Sequence, residues 1–165
     1  MRVLVSDTSV LVDLERGGFL PATFQLPFEL VVPDLLYHRE LREHDGPMLI
    51  KLGLKVEELD DVGVTLAFQY RADHAGLSLP DTFAFVLAKT RGHLLLTGDG
   101  ELRGLAAMEQ IECHGVLWLL DQIVQYSTAT FNDLHQGLTA IANHPRCRLP
   151  RREISARLQI YEKHR

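Results

Sequence analysis

Cysteine is scarce in this chain. Cys113 and Cys147 are the only two among 165 residues, 34 positions apart, and no CxxC pair occurs. That spacing excludes a disulfide framework and a cysteine-ligated zinc ribbon, leaving two unpaired thiols as the expectation. The eight histidines are scattered, with no HExxH or HxxxH ligand pair, so a histidine-bound zinc is not indicated. No GxxxxGK[ST] loop is present, which sets aside P-loop chemistry. The longest apolar runs fall well short of the roughly 18–20 residues that cross a bilayer. The apolar N-terminal stretch is broken by Ser6 and Asp7, and no small-residue cleavage site follows. It reads as a first β-strand of a cytoplasmic protein with no membrane attachment, not as a signal peptide. Internal repeats and low-complexity segments are also missing.

What is present describes a folded domain. Hydrophobic residues make up 46% and charged residues 24%, enough for a proper core in one domain of this length. The net charge of −5 argues against a protein that simply coats nucleic acid. Its distribution is uneven. Residues 1–145 carry 10 basic and 20 acidic side chains, whereas residues 146–165 carry seven basic and two acidic ones. A basic C-terminal segment on an acidic body suggests contact with something anionic, or else pairing of the tail with its own body.

The periodicity alternates strands with helices. Strands are expected at Val3–Ser6, Leu30–Val32, Lys55–Leu59, Leu94–Thr97 and Ile111–Cys113, the third on a sheet edge because charged residues flank Val56. Helices are expected over Ser9–Arg16, from Pro33 through Leu41 until Gly46-Pro47 breaks it, Val62–Ala72, Thr82–Thr90, and from Gly100 through Met108. From Gly115 the chain reads helical: Val116–Tyr126, Phe131–Asn143 and Glu153–His164. This order predicts an α/β fold, a three-layer α/β/α sandwich on a parallel sheet of four to five strands, with a helical C-terminal extension. Right-handed crossovers place every strand's C-terminal end on one edge, where such folds bind ligands.

Four acids fall at or near that edge: Asp7, Glu40, Asp81 and Asp99. Each has an ordinary explanation. Asp7 can cap a helix, Glu40 can pair with an arginine, Asp81 can complete a capping box with Ser78, and Asp99 can be a turn residue. Gathered in one pocket they would repel, by about 3 kcal/mol for two carboxylates 5 Å apart at an effective dielectric near 20. A divalent ion removes that cost. An all-carboxylate set favours Mg²⁺ or Mn²⁺ over zinc, and such an ion can activate water and neutralise a phosphate. Other readings are weaker. Gly98-x-Gly100-x-x-x-Gly104 places its third glycine one position late for a dinucleotide loop. Asp7-Thr8-Ser9 lacks the second aspartate of an aspartyl-phosphate phosphatase, and Lys89 and Lys163 are poorly placed for a phospho-receiver domain.

Four strings carry a family resemblance: Asp7-Thr8-Ser9-Val10-Leu11-Val12-Asp13, Pro33 through Leu41, Leu77 through Ala84, and Leu95 through Arg103. Together they resemble PIN-domain proteins over about residues 1–126, with the closest flavour in the toxin-like ribonucleases of toxin–antitoxin pairs. The resemblance implies a PIN-like nuclease core over 1–126 and a helical extension with a basic tail over 127–165, within the same compact domain. It implies a metal-dependent ribonuclease using Mg²⁺ or Mn²⁺, with Asp7, Glu40, Asp81 and Asp99 as the catalytic, metal-binding quartet. Ser9, Thr97 and Glu101 would support the quartet. Arg103, Arg146, Arg148, Arg151 and Arg152 are the candidates for touching RNA, with Arg71 and Arg91 as possible helpers. A cognate antitoxin and a homodimer are the partners implied. The alternatives are a catalytically silent PIN-like binding module and a housekeeping RNA-processing nuclease.

Overall fold

The computed structural model describes all 165 residues, Met1–Arg165. Five parallel strands form one sheet: β1 (Arg2–Ser6), β2 (Phe28–Pro33), β3 (Lys55–Glu57), β4 (Leu94–Leu96) and β5 (Cys113–His114), in the order β3-β2-β1-β4-β5. β1 pairs with β2 from Arg2 against Phe28 to Val5 against Val31, and with β4 from Leu4 against Leu94 to Ser6 against Leu96. The three inner strands are apolar because both sheet faces are covered, and their side chains alternate between two cores. Leu4, Leu30, Val32, Leu94 and Leu96 enter one cluster of 26 buried residues. Val5, Val31 and Leu95 enter a second cluster of 14 on the opposite face.

Ten helices surround the sheet. The larger core is covered by α1 (Thr8–Arg16), α2 (Leu20–Phe24), α8 (Val116–Tyr126), α9 (Phe131–Asn143) and α10 (Arg151–His164). The smaller core is covered by α5 (Asp61–Asp73), α6 (Leu79–Arg91) and α7 (Gly100–Met108). Helix α6 is buried from Thr82 to Ala88 on all sides, the reason its sequence is alanine- and phenylalanine-rich. The C-terminal helices are integral to the core: Leu134, Leu138 and Ile141 of α9 and Ile154 and Tyr161 of α10 join the larger cluster.

Several local expectations are corrected. Pro33 ends β2, pairs with Glu57, and caps α3 (Asp34–Leu36) from outside, with ψ at 149°. Its neighbours do not form one regular helix. After α3 the chain widens into a π-helical turn at Tyr37–Leu41, closed by the Arg42 N–H donating to the Tyr37 carbonyl at 2.8 Å. Gly46-Pro47 does not simply stop a helix. Pro47 opens α4 (Gly46–Leu52), where its missing N–H costs nothing. Helix α2, with Pro21 in its first turn, was likewise not expected. The third strand ends at Glu57, two residues early. The fifth shifts to Cys113–His114 because Gln110 takes a positive φ of 59° and Ile111 still bonds back to Ala106. No helix is long and apolar enough to cross a membrane, and both cysteines are free.

Candidate active site

The strand order reverses between β1 and β4. From β1 the chain moves outward to β2 and β3, then returns to the other side for β4 and β5. The crevice beyond the C-terminal ends of those two strands is the expected ligand position, and Asp7 and Thr97 are the first residues past them. A cleft of about 1020 Å³ opens there, and Asp7, Glu40, Asp81 and Asp99 all line it.

Helix starts bring three of the acids there. Asp7 caps α1, its Oδ1 accepting from the Val10 N–H at 3.0 Å. Asp99 caps α7, accepting from the Glu101 N–H at 3.0 Å. Ser78 caps α6 by accepting from the Asp81 N–H at 3.2 Å, which leaves the Asp81 carboxyl in the first turn. For Asp7 the cap and the shared pocket are therefore compatible, whereas Asp99 is a helix cap, Ser78 and Asp81 make only one of the two capping-box bonds, and Glu40 meets a threonine hydroxyl instead of an arginine. Each cap turns a strand or loop end into a helix start, and the positive ends of three helices face the acids. Glu40 arrives separately, on the π-helical turn, where its Oε2 accepts from the Thr8 hydroxyl at 2.7 Å.

Asp7 is held most firmly. It is 2% exposed, and its oxygens accept from the Ser9 hydroxyl at 2.9 and 3.0 Å, the Val10 N–H, and the Thr97 hydroxyl. Thr97 Oγ1 in turn accepts from the Asp99 N–H at 3.0 Å, so one hydroxyl sets two acids relative to each other. Burial raises the Asp7 pKa above the ordinary aspartate value, and the nearby Asp99 charge adds to the rise. The Asp81 carboxyl is pushed up to about 6, chiefly by burial, with Asp7, Asp99 and Glu40 contributing in the same direction. The four acids thus share one field. Ten ion pairs occur in the molecule, and none includes Asp7, Glu40, Asp81 or Asp99.

The other expected residues divide. Ser9, Thr97 and Arg103 line the cleft, and so do Arg146 and Arg148 of the basic link. Glu101 does not; its carboxylate packs against Gly76, leaving no room for a side chain there. Arg151 and Arg152 lie on the exposed start of α10 and do not line the cleft. Arg71 is exposed and Arg91 is engaged by Glu57 at 2.6 Å, both away from the cleft lining.

Sequence reasoning missed Thr8, Arg16, His114, Trp118 and Arg157, which also line the cleft. Thr8 stands between two named residues, yet its partner Glu40 lies 32 positions away and nothing local signals the bond. Arg157 grips Asp121 through two hydrogen bonds of 2.9 and 2.7 Å, a fork only folding assembles.

No three His, Cys, Asp or Glu side chains converge tightly enough to form a ready-made coordination group. The donor set nevertheless suits a hard cation. It is all oxygen, it lacks cationic partners, and its most buried member carries a destabilised charge. Mg²⁺ bound by one or two carboxylates keeps several waters and needs no closed protein cage.

A family model described as a PIN domain matches residues 3–163. No curated protein matches the chain.

Proposed function

The chain belongs to the PIN-domain family, a nuclease fold, and from that premise we propose that it is a divalent-metal-dependent ribonuclease hydrolysing RNA phosphodiester bonds. The observation that carries the reading is the cleft itself: four carboxylates from four separate segments, none neutralised by a basic side chain. Asp7, Glu40, Asp81 and Asp99 are the residues that would hold Mg²⁺ or Mn²⁺. The ion would lower the pKa of a water and neutralise charge on the phosphate.

The chain's own residues do the positioning. Ser9, Val10 and Thr97 keep the Asp7 oxygens fixed, so no reorganisation is needed when charge arrives. Thr97 transmits that position to the start of α7, and Thr8 keeps Glu40 facing α1. Asp81, its carboxyl pushed up to about 6 by burial and by the neighbouring acids, would be returned to its charged form by a bound cation, which adds to the case that the set holds one. Arg103, Arg146 and Arg148 supply positive charge along the cleft of an otherwise acidic protein, where phosphates on either side of the reacting one can rest.

The test is direct. RNA should be cleaved in Mg²⁺ or Mn²⁺, and cleavage should stop in EDTA. Asp7→Asn and Asp99→Asn should each lower the rate by well over about 100-fold, more than loss of an outer-shell partner of a metal site costs. The second reading is a PIN-like binding module in which the acids hold an ion without catalysis. It predicts unchanged RNA in every one of those conditions.

We further propose that the nuclease is the toxin of a toxin–antitoxin pair. Its antitoxin would place an arginine among the unpaired carboxylates. Regulated expression in a bacterial host should arrest growth, and Asp7→Asn should restore it. Normal growth combined with cleavage in vitro would identify a housekeeping nuclease instead.

A further inference from the structure

One group of cleft residues has no part in the chemistry above. His114 ends β5, and its ring lies on the Trp118 indole with centroids 4.3 Å apart and planes 5° from parallel. Phe28 backs the indole at 5.8 Å and 29° and does not line the cleft; His114 and Trp118 do. We propose that the His114–Trp118 stack is a subsite that holds one unpaired base of single-stranded RNA beside the scissile phosphodiester, an inference that rests on the ribonuclease reading.

Position supports the assignment. The His114 carbonyl accepts from the Thr97 N–H at 3.0 Å, and Thr97 holds Asp7. His114, at the end of β5, and Asp7, just past the end of β1, therefore have β4 between them, two strand spacings or roughly 10 Å apart. That is a reach suited to a base whose own phosphate sits among the acids.

Orientation supports it too. The His114 Nε2 pairs with Glu112 at 2.9 Å, and Glu112 is held by Arg2 at 2.7 Å. The ring is anchored by its edge, which fixes the plane without covering the face, and the side chain is 30% exposed. A flat, edge-anchored ring backed by an indole is a platform that any base can stack on. A base locked in a duplex cannot reach it. Arg146 and Arg148 line the same cleft and can carry the flanking phosphates.

The chain's single tryptophan is Trp118, so its fluorescence reports this subsite alone. Short single-stranded RNA, added with Ca²⁺ in place of Mg²⁺ or Mn²⁺ and checked to remain uncleaved, should change the emission. The same RNA as a duplex, or with an abasic position in place of the stacked base, should not. His114→Ala should weaken binding of intact single strands by at least about fivefold, the low end of base–aromatic stacking. It should leave abasic RNA binding unchanged, and His114→Phe should restore the loss. Thermal melts of both variants followed by Trp118 emission separate loss of stacking from loss of fold. The proposal is overturned if duplex and abasic RNA change the emission as much as single strands do. It is equally overturned if a folded His114→Ala keeps the wild-type ratio of intact to abasic affinity. Cleavage that persists alongside such a result would sink the subsite and leave the nuclease standing. Stacking without metal-dependent cleavage would do the reverse.

Discussion

Asp7 and Asp81 show how one residue type serves two ends. Asp7 satisfies the orphan Val10 N–H at the start of α1 and is also the most buried acid of the cleft. Its position is over-determined by Ser9, Val10 and Thr97, so it stays ordered even though burial disfavours its charge. Asp81 is less buried, and its elevated pKa makes a prediction about stability. The folded protein keeps a proton on Asp81 up to about pH 6, whereas an unfolded aspartate releases it near 3.8. The folded state therefore binds more protons within that window, and stability is lost as pH rises through it. Metal-free protein should lose about 1–2 kcal/mol between those limits from this group, after discounting for solvent screening at a partly exposed carboxyl. Thermal melts across pH 3.5–7 in EDTA, a range bracketing the roughly 4–6 window, should show the decline, flattened in Asp81→Asn. Saturating Mg²⁺ should offset it by binding the folded form alone. An Asp81→Asn profile that runs parallel to the wild type across the same window would contradict the assignment.

At the scale of elements, two close approaches position the site. The π-helical turn packs against Gly46, where a Cβ would meet the Leu41 carbonyl oxygen at 2.7 Å and Tyr37 at 2.9 Å. That turn carries Glu40, so the irregular geometry aims the fourth carboxylate, and such turns often occur at functional sites. The second approach ties the C-terminal helices to the core. On α9, Gly137 lies so near the Gly17 carbonyl and the Phe19 ring that a Cβ there would collide with both. Gly137→Ala should destabilise the protein by about 1–3 kcal/mol through overpacking. At roughly 2–4 °C per kcal/mol for a chain of this size, the melting temperature should drop measurably. An unchanged melt would mean that α9 can slide at no cost. Because Ile154 and Tyr161 of α10 are buried in the same core, cutting the chain before Arg146 would damage folding as well as charge. Point substitutions are the cleaner probe of the basic segment.

At the scale of the molecule, charge and topology are matched. The body is acidic, the last twenty residues are basic, and folding brings part of that basic segment to the cleft wall. Only some of those arginines arrive. Arg146→Ala and Arg148→Ala should each flatten the log–log salt dependence of single-stranded RNA binding by about 0.7, the single-strand value per phosphate contact. Arg151→Ala and Arg152→Ala should leave the slope as it is, since neither lines the cleft. Equal effects at all four positions would mean that the tail acts as a diffuse cloud of charge.

The sequence by itself determined the layers and the edge where ligands bind. Apolar strands alternating with helical segments admit few arrangements besides a covered parallel sheet, and β1, β2 and β4 fall where their apolar runs lie. Short helices opened by proline, α2 and α4, escaped because Gly and Pro mark breaks and starts with the same letters. Local patterns could place Asp7, Asp81 and Asp99 near helix starts. Tertiary structure alone decided that the β1–β4 reversal brings them, with Glu40, to one cleft, that no arginine reaches them, and that His114 settles flat on Trp118. The physical reason is range. Caps and periodicity are set by neighbours within a turn or two, whereas burial, charge isolation and ring stacking join residues tens of positions apart.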